Sequence, residues 1–319
     1  MLAVPVHRCE TGPPMQQRAL AAWLQRQLGV ELQTMTPVGG GCIHRAWRLQ
    51  LGDGRQLFAK TNRAALRPVL EAEADGLRAL GAAADHCRDP QLAPVIPEPL
   101  ALAEVEGEAL LVLSWLDLDG SAGGDGRGPW QRLGAGLAQL HRASLEGYRG
   151  GFGWARDNFI GSGPQANGWM EHWPAFFCQQ RLGVQLAWAE RSGHRLPEAE
   201  QLLRLAEPWL AEHPVEPVLV HGDLWGGNAG LLANGRGALF DPAIHRGDRE
   251  VDLAMAQLFG GFPAAFFEGY QQEWPLPEGH QRRLELYNLY HLLNHANLFG
   301  GAYWQQSAAS IQSLLRELG

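Results

Sequence analysis

The stretch Val218 to Asp241, VLVHGDLWGGNAGLLANGRGALFD, gathers His221, Asp223, Asn228 and Asp241 within one short span. An apolar run delivers His221, Asp223 and Asn228 into a loop, and a second apolar run, Ala238 to Phe240, delivers Asp241. Phosphoryl transfer calls for such groups: a carboxylate that orients the attacking hydroxyl and accepts its proton, and hard oxygen ligands for Mg²⁺. An Asp and an Asn five residues apart on one loop, then an Asp after the next hairpin, is the order in which kinase-like proteins place base and metal ligands. On that pattern Asp223 is the base, and Asn228 and Asp241 are the metal ligands. Local turn chemistry accounts for Gly222-Asp223 and Gly226-Gly227-Asn228. It does not account for Trp225 between the polar positions, or for Asp241-Pro242 directly after a clean apolar strand. A hydrolytic metal at His221 and Asp223 is the other reading, but the chain has no cluster with zinc-ligand spacing such as HExxH.

A phosphate grip is expected upstream. Val38 precedes Gly39, Gly40 and Gly41, then come CIHRAWRLQL, an Asp53-Gly54 turn and RQLFAKT, which together read as a β-hairpin. Glycines at its start allow backbone N–H groups to approach phosphate oxygens closely. The segment does not match GxxxxGK[ST], so a Walker-type loop is disfavoured. Lys60, on the second strand of the hairpin, is the only lysine, every other basic residue apart from histidine being arginine. A compact ammonium fits a tight phosphate pocket better than a planar guanidinium does. The helix-like stretch 67 to 81 carries Glu71 and Glu73, and kinases pair a strand Lys with a helix Glu. Two residues apart on a helix, these glutamates point to different faces.

Composition limits the alternatives. A length of 319 residues with 45% hydrophobic content allows two lobes with substantial cores. A formal net charge of -8 without a Lys/Arg run argues against nucleic acid or an anionic membrane as the main partner. No apolar stretch approaches about 18 residues and the N-terminus lacks a signal-peptide pattern, so a cytoplasmic location is expected. Cys9, Cys42, Cys87 and Cys178 are scattered, without a CxxC pair, and read as free thiols.

The segments HGDLWGGN and DPAIHRGDREVDLAMAQLFGGF resemble the fructosamine kinase (ketosamine-3-kinase) family, relatives of the aminoglycoside and choline kinases. The likeness extends through GGGCIHRA, LFAKTN, LEAEADGLRAL, DNFIGSGPQANGW, HWPAFFCQQRLGVQL and LYNLYHLLNHANLFGG, nearly the whole chain. It implies an α+β, bilobal protein-kinase-like fold: a small antiparallel β-sheet lobe, 1–115, that binds nucleotide, and a larger, mainly helical lobe, 116–319, for catalysis and substrate. It implies ATP and Mg²⁺ as cofactors, Glu73 rather than Glu71 as the partner of Lys60, and a hinge at Ser114, Trp115 and Leu116 facing the adenine. By analogy with related kinases, Asp252 supports the catalytic loop from behind, together with His221. The acceptor implied is the 3-hydroxyl of a sugar joined as a ketoamine to an amine, small or protein-bound, in a monomer or homodimer. Some similar kinases carry an oxidation-sensitive cysteine at the position of Cys42.

The remaining pattern supplies acceptor candidates. Helical period is read over 13 to 29, Trp130 to Ser144, 172 to 192, 197 to 212 and 263 to 318. His141, on one apolar face, is expected as a core or capping histidine. Residues 150 to 169 are polar, without period, and are expected to wall the sugar pocket. Trp225, between base and metal ligand, can stack on a sugar face. Asn294 and His295 lie amid Leu and Tyr, where buried polar groups must find partners, and a hydroxyl-rich substrate would supply them. The rival readings are a kinase for an aminoglycoside or amino-alcohol, which would favour an acidic rim, and a catalytically silent nucleotide-binding protein.

Overall fold

The computed structural model describes residues 17–39, 44–118 and 127–319. Gly40, Gly41 and Cys42, which are most of the expected phosphate loop and the expected redox thiol, lie outside the described residues. Helix α1 (Gln17–Leu28) leads to strands β1 (Leu32–Val38), β2 (Arg45–Leu51) and β3 (Gln56–Arg63), then to α2 (Arg67–Asp85), β4 (Pro99–Val105) and β5 (Glu108–Ser114). The strands form one antiparallel sheet in the order β1-β2-β3-β5-β4.

Strand β5 lies inside the sheet with helices on both faces, which is why Ala109 to Leu113 are all apolar. Leu110 and Val112 join Leu49, Leu51, Leu57 and Ala59 against Leu20 and Leu24 of α1. Ala109, Leu111 and Leu113 meet Leu70, Ala74 and Leu77 of α2. Lys60 pairs with Leu111 across the ladder, and strand alternation puts its side chain on the α2 face. Strand β1 is an addition to the sequence reading. It is an edge strand with only Leu32 buried, so LQTMTPV shows no clean alternation, and Pro37 is tolerated because one side has no ladder.

The larger part contains α3 (Arg127–Ala143), β6 (Asn158–Ile160), β7 (Gly163–Gln165), α4 (Trp173–Phe176), α5 (Val184–Arg191) and α6 (Ala199–Leu210). Four short strands follow, β8 (Val218–Val220), β9 (Ala229–Leu231), β10 (Gly237–Leu239) and β11 (His245–Gly247), and then α7 (Glu250–Leu258), α8 (Ala264–Glu273), α9 (His280–Phe299) and α10 (Ala302–Leu318). The helix expected over 172 to 192 is α4 and α5 joined by a π-helical stretch, Phe177–Gly183, which turns Phe177, Cys178, Arg181 and Leu182 all inward. Trp173, Phe176 and Phe177 pack with Tyr287 and with Val218 and Val220 to form the main core beneath the short strands. The architecture is the α+β class expected, a small antiparallel sheet beside a mainly helical body. No described helix is long and apolar enough to cross a membrane. Cys87 and Cys178 are free and buried, and burial pushes their thiols up, to about 11 and about 12.

Candidate active site

Two short ladders set the reacting groups side by side. Strand β8 pairs antiparallel with β11, and β9 with β10. The loop 221–228 therefore leaves β8 and the loop 240–244 leaves β10 next to one another, stitched by Ala243 N–H to His221 O (2.8 Å) and Phe240 N–H to Asn228 O (3.0 Å). Gly222 has φ +79, and a Cβ there would lie 2.1 Å from Ala243 O, so the crossing requires glycine. The Asn228 amide nitrogen donates to Asp223 O (2.8 Å), Asp223 Oδ2 (3.1 Å) and Asp241 O (3.3 Å), so one side chain brackets both acidic residues. Its Oδ1 is then the atom it can offer a cation.

Asp241 takes φ +57, a left-handed conformation that an L-residue ahead of proline rarely adopts. Such strain persists only where neighbours enforce it, and it concentrates at functional positions. Here Pro242 and Ile244 pack on Gly76 of α2, where a Cβ would come within 3.0 Å of Pro242 Cγ. The helix that carries Glu73 thus presses on the segment that carries Asp241.

Lys60, nearly buried, donates to Glu73 Oε1 at 2.8 Å and also to the Asp241 carboxylate. Burial alone would lower the lysine pKa; the Asp241 and Glu73 carboxylates outweigh it and hold the ammonium charged. Burial likewise opposes ionisation of Asp241, but Lys60 keeps its carboxyl below the ordinary range. Glu73 is raised by burial, which Lys60 only partly offsets. Asp223 is raised to about 7, first by burial and then by the neighbouring Asp241 charge. Two adjacent carboxylates held apart in acidity in this way suit different tasks, one a permanent anion and the other able to take a proton near neutrality.

Asp252 fixes the loop from beneath. Fully buried, it accepts from His221 N–H (2.7 Å) and Gly222 N–H (2.8 Å), and its Oδ2 lies 3.1 Å from His141 Nε2. His141 Nδ1 in turn meets the Tyr270 hydroxyl at 2.9 Å. The His221 ring has Nδ1 3.3 Å from Asp223 N–H and Nε2 3.0 Å from Phe240 O, contacts that assign the proton to Nε2. Burial lowers its pKa, so it serves as a neutral strut between the two loops.

The expected acceptor residues separate. Trp225 is 40% exposed beside Asp223, and its ring lies over Gly227, where a Cβ would be 2.2 Å away. Asn294 is buried and is spent internally: its Oδ1 accepts from Gln185 Nε2 (3.2 Å) and its amide faces Ile160 O (3.5 Å). Its partners are therefore protein groups, where the sequence suggested a substrate. His295 gives Nδ1–H to His291 O (2.9 Å) and sits among aromatic rings. In the segment 150–169, Asn158 donates to Ile244 O (2.8 Å), Gln165 to Ala243 O (2.9 Å) and Asn158 Oδ1 (2.7 Å), and Asn167 to Asn158 Oδ1 (2.8 Å). Arg181 from the π-helical stretch donates to Asn167 Oδ1 (2.7 Å) and to Ala166 O, and the Tyr290 hydroxyl to Gln165 Oε1 (2.8 Å). These side chains brace the Asp241 segment from below, where a pocket wall was expected.

At the expected hinge, Ser114 N–H donates to Glu98 O (3.0 Å) and its Oγ accepts from Glu98 N–H (2.9 Å), so Ser114 ties β5 to the start of β4. Trp115 lies against Phe58 and under the Arg48 guanidinium, 5.0 Å from its ring. Leu118 already bridges to Leu232 beyond β9, so the crossing between sheet and helical body runs through 115–118. His44, absent from the sequence candidates, faces Asn62 at 3.0 Å, and burial together with Lys60 lowers its pKa to about 4.

The fructosamine kinase family model matches residues 15–317. A protein named "probable ketoamine kinase" from Synechocystis sp. is 42% identical over 288 residues, covering 89% of this chain and 91% of its own. The chloroplastic protein-ribulosamine 3-kinase of Arabidopsis thaliana is 33% identical over 309 residues, covering 95% and 90%. Among solved structures, one named for a fructosamine-3-kinase from Thermobifida fusca superposes with a TM-score of 0.77 at 29% identity, over 94% of this chain and 100% of that one. With a family match over nearly its whole length and relatives that align along almost all of it, the chain belongs to the fructosamine kinase family.

Proposed function

We propose that this protein transfers the γ-phosphoryl group of ATP to a sugar hydroxyl of a ketosamine, small or protein-borne. The observation that carries the reading is the run of contacts from Glu73 through Lys60 to Asp241, and from Asn228 to both Asp241 and Asp223, together with membership of the family. Asp223 accepts the proton of the attacking hydroxyl, and its raised pKa near 7 suits that step at neutral pH. Lys60, steadied by Glu73, holds the nucleotide phosphates. The exposed Trp225 indole stacks on the sugar, and the chain segment at Trp115 and Leu116 meets the adenine.

The donor set fits Mg²⁺, since the Asp241 carboxylate and the Asn228 Oδ1 are hard oxygens and the strained Asp241 backbone is held in place by its surroundings. When bound, the ion neutralises charge on the transferred phosphoryl group. The chain contributes mainly position and fixed charge, which carry most of the rate in phosphoryl transfer. The test is ADP release with MgATP and a fructosyl- or ribulosyl-amino acid, with the phosphate position read by ³¹P NMR. Turnover of an aminoglycoside with none on any ketosamine would overturn the acceptor.

A further inference from the structure

Exposed apolar surface gathers next to the catalytic loop. Phe299 is 65% exposed, Phe259 38% and Trp225 40%. Gly226, beside Trp225, lies against the turn after α7: a Cβ on Gly226 would be 3.0 Å from Gly261 Cα and 3.3 Å from Gly260 O. Phe259 closes α7 just before that turn. Its ring centre is 4.7 Å from that of His295, which is 5.5 Å from Phe299 and 5.1 Å from Tyr303. Gly300 and Gly301, both at positive φ, reverse the chain between α9 and α10 so that Tyr303 folds back onto His295. The result is an aromatic shelf that begins at the Asp223 loop and runs outward over the ends of α7 and α9.

The polar atom in the middle of the shelf narrows its occupant. His295 uses its Nδ1–H on His291 O, which leaves Nε2 as the acceptor of an imidazole that has three tilted aromatic rings as neighbours. An acceptor beside aromatic rings suits a group that is cationic, donates a hydrogen bond and carries an apolar substituent. A ketosamine has such a group bonded directly to its sugar carbon chain: a protonated secondary amine bearing whatever the amine brought with it. When the sugar hydroxyl is at Asp223, that substituent must leave over adjoining surface, and the shelf adjoins the loop.

We infer that the shelf formed by Phe259, Phe299 and Tyr303 around His295 binds the amine-bearing part of the ketosamine and selects for aromatic or apolar amines among ketosamines with the same sugar. This rests on the ketosamine reading above. The experiment measures kcat/KM for fructosyl-glycine and fructosyl-benzylamine with the parent enzyme, Phe299→Ser, Phe259→Ser and the double variant, each checked for an unchanged melting temperature. The parent is expected to favour the benzylamine compound by about tenfold, the scale of one apolar pocket contact. The ratio should fall stepwise towards one through the single and double variants, while Phe299→Leu keeps part of it. A parent ratio near one, or a ratio that both serine variants leave intact, overturns the shelf while fructosyl-glycine turnover still supports the ketosamine reading. If the parent consumes neither compound, the ketosamine reading falls and the shelf with it.

Discussion

Asp252→Asn isolates the support of the catalytic loop from the reacting groups. The buried carboxylate takes two backbone N–H groups, from His221 and Gly222, and faces His141 Nε2. Asparagine keeps one oxygen and turns an NH₂ towards one of those donors, so at least one buried donor loses its acceptor. An unsatisfied buried donor costs about 1–3 kcal/mol, and the surviving bond loses its charge assistance, worth about 1 kcal/mol more. A total near 3 kcal/mol lowers the melting temperature by roughly 4–5 °C for a chain of this size, since the unfolding entropy scales with its length. The Gly222 crossing, already held against Ala243 O, then shifts Asp223, and a displacement of about 1 Å costs on the order of 100-fold in kcat. Lys60 and Glu73 are untouched, so the KM for ATP should stay within about threefold, the signature of lost acceptor geometry rather than lost nucleotide binding. Calorimetry and steady-state ADP release measure both effects. An Asp252→Asn protein that melts within about 1 °C of the parent and turns over within about threefold would refute the argument that this carboxylate sets the loop.

Asp223→Asn should cut kcat by on the order of 10³-fold with little change in ATP affinity, as expected for a lost general base. The same substitution should raise the melting temperature at pH 8 and leave it unchanged near pH 4. A carboxyl whose folded pKa is raised to about 7 costs stability once ionised above that value, and costs none below its ordinary unfolded value of about 4. For the same reason kcat/KM should fall as pH drops through about 7, and this inflection should be absent in the variant. Lys60→Ala leaves the Glu73 and Asp241 carboxylates without their shared cation, so KM for ATP should rise at least about tenfold. The stability loss in Lys60→Ala should shrink as pH falls and those carboxylates protonate, which urea titrations at pH 5 and 8 would show. Trp225→Ala should cut kcat/KM for the ketosamine by about 1–3 kcal/mol in barrier while sparing ATP binding, measured by varying each substrate in turn.

The candidate reacting groups could be picked out because chemistry restricts both their type and their order: Asp223, Asn228 and Asp241 lie on one continuous stretch, in the loops that flank β8, β9 and β10. Lys60 stood out as the only lysine, whereas the choice of Glu73 over Glu71 as its partner came from the family resemblance and not from helical period. What holds those groups in place was not legible to the same degree. Asp252 could be singled out only by analogy, and its partner His141 lies 111 residues away on α3, where an apolar helical face says that the ring is inside but not what it touches. Asn158, Gln165, Asn167 and Arg181 read as a polar loop and a helix, yet they form one buried network under Ala243 and Ile244. Period cannot separate a polar residue that faces water from one that faces another polar residue. Asn294 shows the limit most directly. The rule that buried polar groups are paired demanded a partner for it, correctly, but a rule about demand is silent on supply, and Gln185 and Ile160 provide what a substrate hydroxyl was expected to provide. Sequence therefore specifies a reacting centre better than its bracing, because reactive groups are constrained by the chemistry they perform and bracing groups only by being satisfied, which many arrangements of the same residues achieve.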